Sequence, residues 1–157
     1  MTAPPAPLDI LLWRHAEAED GLDDLARALT AKGRRQAERV ARWLDAFLPP
    51  DARILVSPAV RAQQTARALG RSFETVPSIA PGAAPEAILA AAGGADASGC
   101  VLLVGHQPTL GQAAVRLLTG QAGCMELKKG SVTWLRPVSY THLRAHETPE
   151  HLVCRLL

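Results

Sequence analysis

Arg14 with His15, Arg61 and His106 are the residues of this chain whose chemistry asks for an explanation. The run "DILLWRH" stays apolar up to Arg14 and His15. The run "RILVSP" ends on Ser57 and Pro58, with Arg61 one turn further on, and "CVLLVGH" ends on Gly105 and His106. A guanidinium is a planar fork that meets phosphate oxygens two at a time and keeps its charge at any physiological pH. An imidazole nitrogen can attack phosphorus when a partner on its other nitrogen fixes the tautomer. A helix N-terminus adds backbone donors and a partial positive charge. Phosphoryl transfer asks chiefly for positioning and for neutralisation of the equatorial oxygens. Several fixed cations meet that need, so no metal and no other cofactor is called for. Two arginines and two histidines from three places in sequence are therefore expected around one phosphate.

The elements that must position them are legible as alternating strands and helices. The first three apolar runs are continuous, as in strands covered on both faces, and "GSVTWLRP" reads as a fourth strand. In "TAKGRRQAERVARWLDAFLPP" the apolar residues Ala37, Val40, Ala41, Leu44, Phe47 and Leu48 recur at helical spacing. Thr30 is the expected N-cap of that helix, and Pro49-Pro50 stops it. A second helix is expected after Ser57, with Ser57 as cap, Pro58 at the first helical position and Gly70 at the end. "APEAILAAAGG" and "PTLGQAAVRLLTG" read as two more helices closed by glycine. Strands alternating with helices imply an α/β layered domain with a largely parallel sheet. In such domains ligands bind beyond the carboxyl ends of the strands, where the candidate residues lie.

"RHA" at 14–16, "LTAKG" at 29–33, "SPAVRAQQTA" at 57–66 and "GHQP" at 105–108 together resemble the histidine phosphatase superfamily, and most of all its small SixA-type branch of phosphohistidine phosphatases. The resemblance implies a three-layer α/β/α sandwich of the phosphoglycerate mutase-like kind, spanning residues 8 to about 136. It implies that His15 is the nucleophile, with Arg14, Arg61 and His106 completing the phosphate pocket, and gives Thr30 and Gly33 a structural role at the first helix. The common family pattern is RHG; Ala16 departs from it, a change tolerated where the backbone has φ below zero. The mutase-like branch continues its first motif with a serine and an asparagine. Here Ala18 and Gly21 follow instead, and the long mutase insertions are missing. Glu17 is the candidate general acid, ahead of Glu19 and Asp20, which read as solvated loop charges. A phosphohistidine leaves readily once its nitrogen is protonated, so a pocket without a dedicated acid suits it better than an ester. The implied partner is a phosphorylated substrate, such as a phosphohistidine protein of a phosphorelay. A small phosphomonoester and an inactive phosphate-binding domain are the alternatives.

Some of these residues also have ordinary readings. Arg14 and His15 alone are compatible with a strand end meeting water, and Arg61 with a surface ion pair. Gln63 and Gln64 read as surface or helix-packing residues, and the tryptophans as packing residues. At 157 residues the chain fits one domain that can bury about two-thirds of its unfolded surface. A net charge of +2 gives no nucleic-acid footprint. Cys100, Cys124 and Cys154 lack CxxC spacing and read as buried thiols in a reducing compartment. "MTAPPAPLDI" does not have the form of a signal peptide, and no apolar stretch approaches the ~20 residues of a membrane span, so the expected location is the cytoplasm.

The domain is expected over 1–137, followed by an atypical tail over 138–157, "VSYTHLRAHETPEHLVCRLL". This tail resembles translated sequencing-adapter read-through, which would leave the sheet without an edge strand. His142 and His146 stand at i, i+4, a spacing able to hold zinc on a helix. Pro149 interrupts that run and no carboxylate supports it, so no metal site is expected there.

Overall fold

The computed structural model describes residues 7–93, 97–139 and 150–156. Along the chain come β1 (Leu8–Arg14), α1 (Ala31–Phe47), β2 (Arg53–Val56), α2 (Val60–Arg67), β3 (Glu74–Thr75), α3 (Pro85–Ala92), β4 (Gly99–Gly105), α4 (Thr109–Thr119), β5 (Val132–Ser139) and β6 (Glu150–Leu156). Short 3-10 turns lie at Asp24–Ala26 and Pro77–Ile79. The strands form one sheet in the order β3-β2-β4-β1-β5-β6. Pairings among β1 to β4 are parallel, while β5 is antiparallel to β1 and β6 to β5.

Successive residues of a strand point to opposite faces, and the core divides accordingly. Leu11, Trp13, Ile54, Val56, Leu102 and Val104 pack with Ala37, Ala41 and Leu44 of α1 and Ala62 and Ala66 of α2. Leu12, Leu55, Val101 and Leu103 pack with Ile88 of α3 and Leu110, Ala113 and Ala114 of α4. The result is the expected three-layer α/β/α sandwich. Alanines at the helix contacts let α1, α2 and α4 lie close on the sheet, and each buried Leu or Val contributes about 1.5–3 kcal/mol. No helix among the described residues is long and apolar enough to cross a membrane.

Register does most to build the site. Arg14 stands opposite Gly105 across the β1–β4 pair, and Val56 opposite Val104 across β2–β4. Two ladder bonds run past the strand ends: His15 N–H donates to Gly105 O and Ser57 N–H to Val104 O, each at 3.0 Å. Three strands therefore finish at one level. The helix that follows β1 covers one face of the sheet and the helix that follows β4 covers the other, which opens a crevice between the two strands.

Most elements stand where the sequence pattern puts them, with several corrections. Helix α2 begins at Val60 rather than Pro58; its N-cap is Ala59, whose methyl cannot accept a cap bond, and the Ser57 hydroxyl instead meets Ala59 N–H and His106. Phe47 is 55% exposed, not part of the buried face, and it stacks on Trp43 at 4.6 Å. Cys100 is only half-buried and Cys124, in the loop after α4, is exposed. The expected lack of an edge strand is also corrected: β6 pairs with β5, satisfying N–H and C=O groups that would otherwise face outward. The His142–His146 pair lies outside the described residues.

Candidate active site

At the end of β1 the backbone turns sharply into Arg14, His15 and Ala16, and hydrogen bonds from several directions fix that turn. Gly130 N–H points at the carbonyls of both Arg14 and His15 at 3.1 Å, and Arg14 N–H donates to Ser131 O. Ala16 N–H donates to the Thr65 hydroxyl at 3.1 Å, and that hydroxyl donates to Arg61 O at 2.7 Å. The turn is thereby tied to the helix that carries Arg61. Ala16 is fully buried, and no described residue other than glycine has positive φ, so the alanine in place of the family's glycine is unstrained.

His15 is 8% exposed. Its Nδ1 lies 2.8 Å from Ala16 O, which can only accept, so Nδ1 carries the proton. On the other side Arg61 Nε, always a donor, lies 3.3 Å from His15 Nε2. Both contacts assign the same tautomer, with the lone pair on Nε2. Burial pushes the His15 pKa down to about 4; the bond to Ala16 O opposes the shift, and Arg61, Arg14 and Arg27 reinforce it. At neutral pH His15 is uncharged, with its Nε2 lone pair turned toward Arg61.

His106 lies beside it, with ring centroids 5.1 Å apart. Its Nε2 is 2.7 Å from Ser57 Oγ, which also accepts from Ala59 N–H at 3.3 Å. Nδ1 is buried without a partner among the described residues, and it carries the ring proton in the tautomer in which the hydroxyl donates to Nε2. Burial and then the cationic surroundings, with His15 first, push the His106 pKa down to about 3.

Arg61 is 4% exposed. Its Nη1 donates to Asp24 O at 2.5 Å and its Nη2 to Asp24 Oδ2 at 3.1 Å, which leaves the Nε edge turned to His15. Arg14 Nη1 donates to Leu127 O at 2.6 Å, and its Nε is buried without a partner among the described residues. Burial lowers the Arg14 pKa, with Glu126 opposing. Arg14 Nε and His106 Nδ1 are thus two buried nitrogens without a partner among the described residues, on the residues next to and stacked beside His15. Leaving such donors unpaired costs about 1–3 kcal/mol each, a cost that a bound anion removes.

The structure therefore brings Arg14, His15, Arg61 and His106 together, as expected. Glu17 lies apart from this set: its Oε2 accepts from the Thr30 hydroxyl at 2.8 Å, and its N–H donates to Gln36 at 3.0 Å. Thr30 also caps α1 by accepting from Gly33 N–H at 2.9 Å. Gly33 is required there by close approach, since a Cβ on it would stand 2.0 Å from Glu17 O.

Asp24, which no sequence motif marks, bridges two arginines, with Oδ1 3.0 Å from Arg27 Nη1 and Oδ2 3.1 Å from Arg61 Nη2. Arg27 and then Arg61 hold its carboxyl below the usual range. It sits in an aperiodic polar loop, where no sequence signal singles out one carboxylate from its neighbours. Ser57 was visible, but a serine before Ser-Pro-type helix starts reads equally well as a cap.

Comparison with known proteins identifies the family and the fold. The profile of the histidine phosphatase superfamily (branch 1) matches residues 10–84. An uncharacterized protein of Picosynechococcus sp. is 33% identical over 156 residues, covering 91% of this chain and 93% of its own length. Phosphohistidine phosphatase SixA of Escherichia coli K12 is 30% identical over 125 residues, covering 73% of this chain and 76% of its own. The solved structure of the protein histidine phosphatase SixA complexed with tungstate superposes with a TM-score of 0.67 at 25% identity, covering 81% of this chain and 86% of that one. The fold is phosphoglycerate mutase-like, and the chain belongs to the histidine phosphatase superfamily as a phosphatase of its SixA-type branch.

Proposed function

We propose that this phosphatase removes phosphate from phosphohistidine on a protein, through a covalent intermediate on His15. His15 Nε2 attacks phosphorus in line, forming an N–P bond as the bond from phosphorus to the substrate imidazole breaks. The departing imidazole leaves neutral, having carried its proton into the site. Water then attacks the phosphoryl group on His15, releasing inorganic phosphate and restoring the free imidazole. Arg14 and Arg61 as fixed cations, and His106 as a neutral donor, meet the equatorial oxygens during both steps, which is where such groups lower the barrier. That charge comes from the chain's own side chains, and the reading needs no cofactor.

The observation that carries this reading is the pair of contacts on His15: Ala16 O holds Nδ1–H, and Arg61 Nε marks the Nε2 side. The choice of phosphohistidine rests on the leaving group. Glu17 has its carboxylate on Thr30, and Asp24 is bound to two arginines, so neither stands free to protonate an alkoxide. An imidazole that enters protonated does not need that help. The resemblance to SixA phosphatases supports the same choice.

The test is His15→Ala assayed on a phosphohistidine peptide and on an aryl phosphate. Turnover should fall at least about a thousandfold on both, and the wild-type protein quenched in mid-reaction should carry an acid-labile phosphate on His15. Wild-type-like activity in the variant would sink the mechanism. A wild-type protein that prefers small esters to the peptide would instead favour a small-molecule substrate.

A further inference from the structure

Alongside the His15 turn lies a second concavity, a cleft of about 300 Å³ lined by Gln36, Arg39 and Val40 of α1 and by Lys128, Lys129 and Ser131 of the segment leading into β5. Arg39, Lys128 and Lys129 are exposed, and none of them is in an ion pair among the described residues. The arginines elsewhere that do form ion pairs, such as Arg71 with Asp45 and Arg116 with Glu86, have carboxylates of their own. What sets this cleft apart is convergence: three cations from two separate elements line it, and no carboxylate is among its lining residues. Glu38 points to a different cleft, where it lies with Arg34 and Arg67.

Both walls of this cleft are hydrogen-bonded to the catalytic turn. Gln36 accepts from Glu17 N–H, and Gly130 N–H reaches the carbonyls of Arg14 and His15. Leu127, immediately before the two lysines, holds Arg14 Nη1 through its carbonyl. The cleft is thus a neighbour of the phosphate pocket, separated from it by the turn itself.

We infer that this cleft is a docking site for carboxylates of the phosphorylated protein, holding an acidic segment while the phosphohistidine lies against His15. A small phosphate ester occupying the pocket does not extend across the turn, whereas a polypeptide does. The opposite sign of charge also steers encounter. This inference rests on the phosphohistidine reading above, and its test separates the two.

Two phosphohistidine peptides of equal length are compared, one flanked by Asp and Glu and one by Asn and Gln. Wild-type protein should favour the acidic peptide by about tenfold in kcat/KM, mostly through KM, and the preference should shrink as salt is raised. The R39E/K128E/K129E variant should lose or invert the preference while its turnover of an aryl phosphate stays within about twofold, because uniform binding far from phosphorus acts on KM. The neutral variant K128Q/K129Q should lose part of the preference and replaces the triple variant if charge reversal prevents folding. A variant that keeps the wild-type preference, or loses aryl phosphate turnover in step with peptide turnover, overturns the docking site. If the wild-type protein turns over aryl phosphate and neither peptide, the phosphohistidine reading itself fails and the inference with it.

Discussion

His15 and His106 are two neutral imidazoles 5.1 Å apart, the first with Arg61 at 3.3 Å, and each is held by a different kind of partner. A backbone carbonyl fixes His15, so no substitution short of moving the turn changes its tautomer. A side chain fixes His106, so that residue is open to test. Ser57→Ala should leave Nε2 of His106 without its 2.7 Å partner and free the ring to rotate. We expect a loss of about 1 kcal/mol in stability and a fall in kcat/KM on the order of tenfold to a hundredfold, read by melting and by aryl phosphate kinetics. Unchanged kinetics would show that Ser57 does not position His106. The four candidate residues were legible in the sequence because three apolar runs deliver them in order and the motifs around them together resemble one family, although Arg14 and His15 alone could have been a strand end. Asp24 was not, because its role comes only from the folding back of its loop onto Arg61, across 37 positions of sequence.

At the scale of elements, the site depends on α1 starting close against the first motif. The Thr30 cap, the Glu17–Thr30 bond and the bare Cα of Gly33 form one joint. Gly33→Ala places a methyl 2.0 Å from a backbone oxygen that has no room to retreat. The expected cost is about 2–3 kcal/mol, typical of overpacking against backbone, together with reduced activity as the Glu17 backbone shifts. A melting curve overlaying the wild type would show that α1 adapts freely. Parallel strands and amphipathic helices were readable because burial on both faces leaves continuous apolar runs and burial on one leaves a periodic stripe. β3 was not readable, as its two residues are too few for any pattern and both are exposed. β6 falls within a tail whose composition argues against the domain, and only its pairing with β5 reveals a strand.

For the whole molecule, the depressed histidines couple activity to acid stability. Their native pKa values, about 4 and about 3, lie below the 6.5 of an unfolded histidine. Between those limits the unfolded chain binds protons that the native chain refuses, so stability is complete above about pH 6.5 and declines as pH falls. Each histidine within its window removes about 1.4 kcal/mol per pH unit. The melting temperature should therefore drop between pH 7 and 5, before most carboxylates titrate, and His15→Asn should flatten part of that slope. Identical slopes in variant and wild type would show that His15 is not held neutral. The net charge of +2 conceals this arrangement, since the balance of the whole chain says nothing of where cations gather.

Trp13 adds a consequence of an optical kind. Its indole is fully buried, one residue before Arg14, and Nε1–H donates to Gly130 O at 3.1 Å. The same Gly130 holds the carbonyls of Arg14 and His15 through its N–H. Indole emission responds to the strength of the bond at Nε1, and here that bond shares a peptide unit's neighbourhood with the phosphate pocket. Trp43 and Trp134 stand together elsewhere, 6.3 Å apart, and can be replaced as a pair. What remains is a chain with one tryptophan, excitable apart from Tyr140 at the red edge of the indole band and wired to the Arg14–His15 turn, so that its emission is expected to report an anion bound there without label or chromogenic substrate.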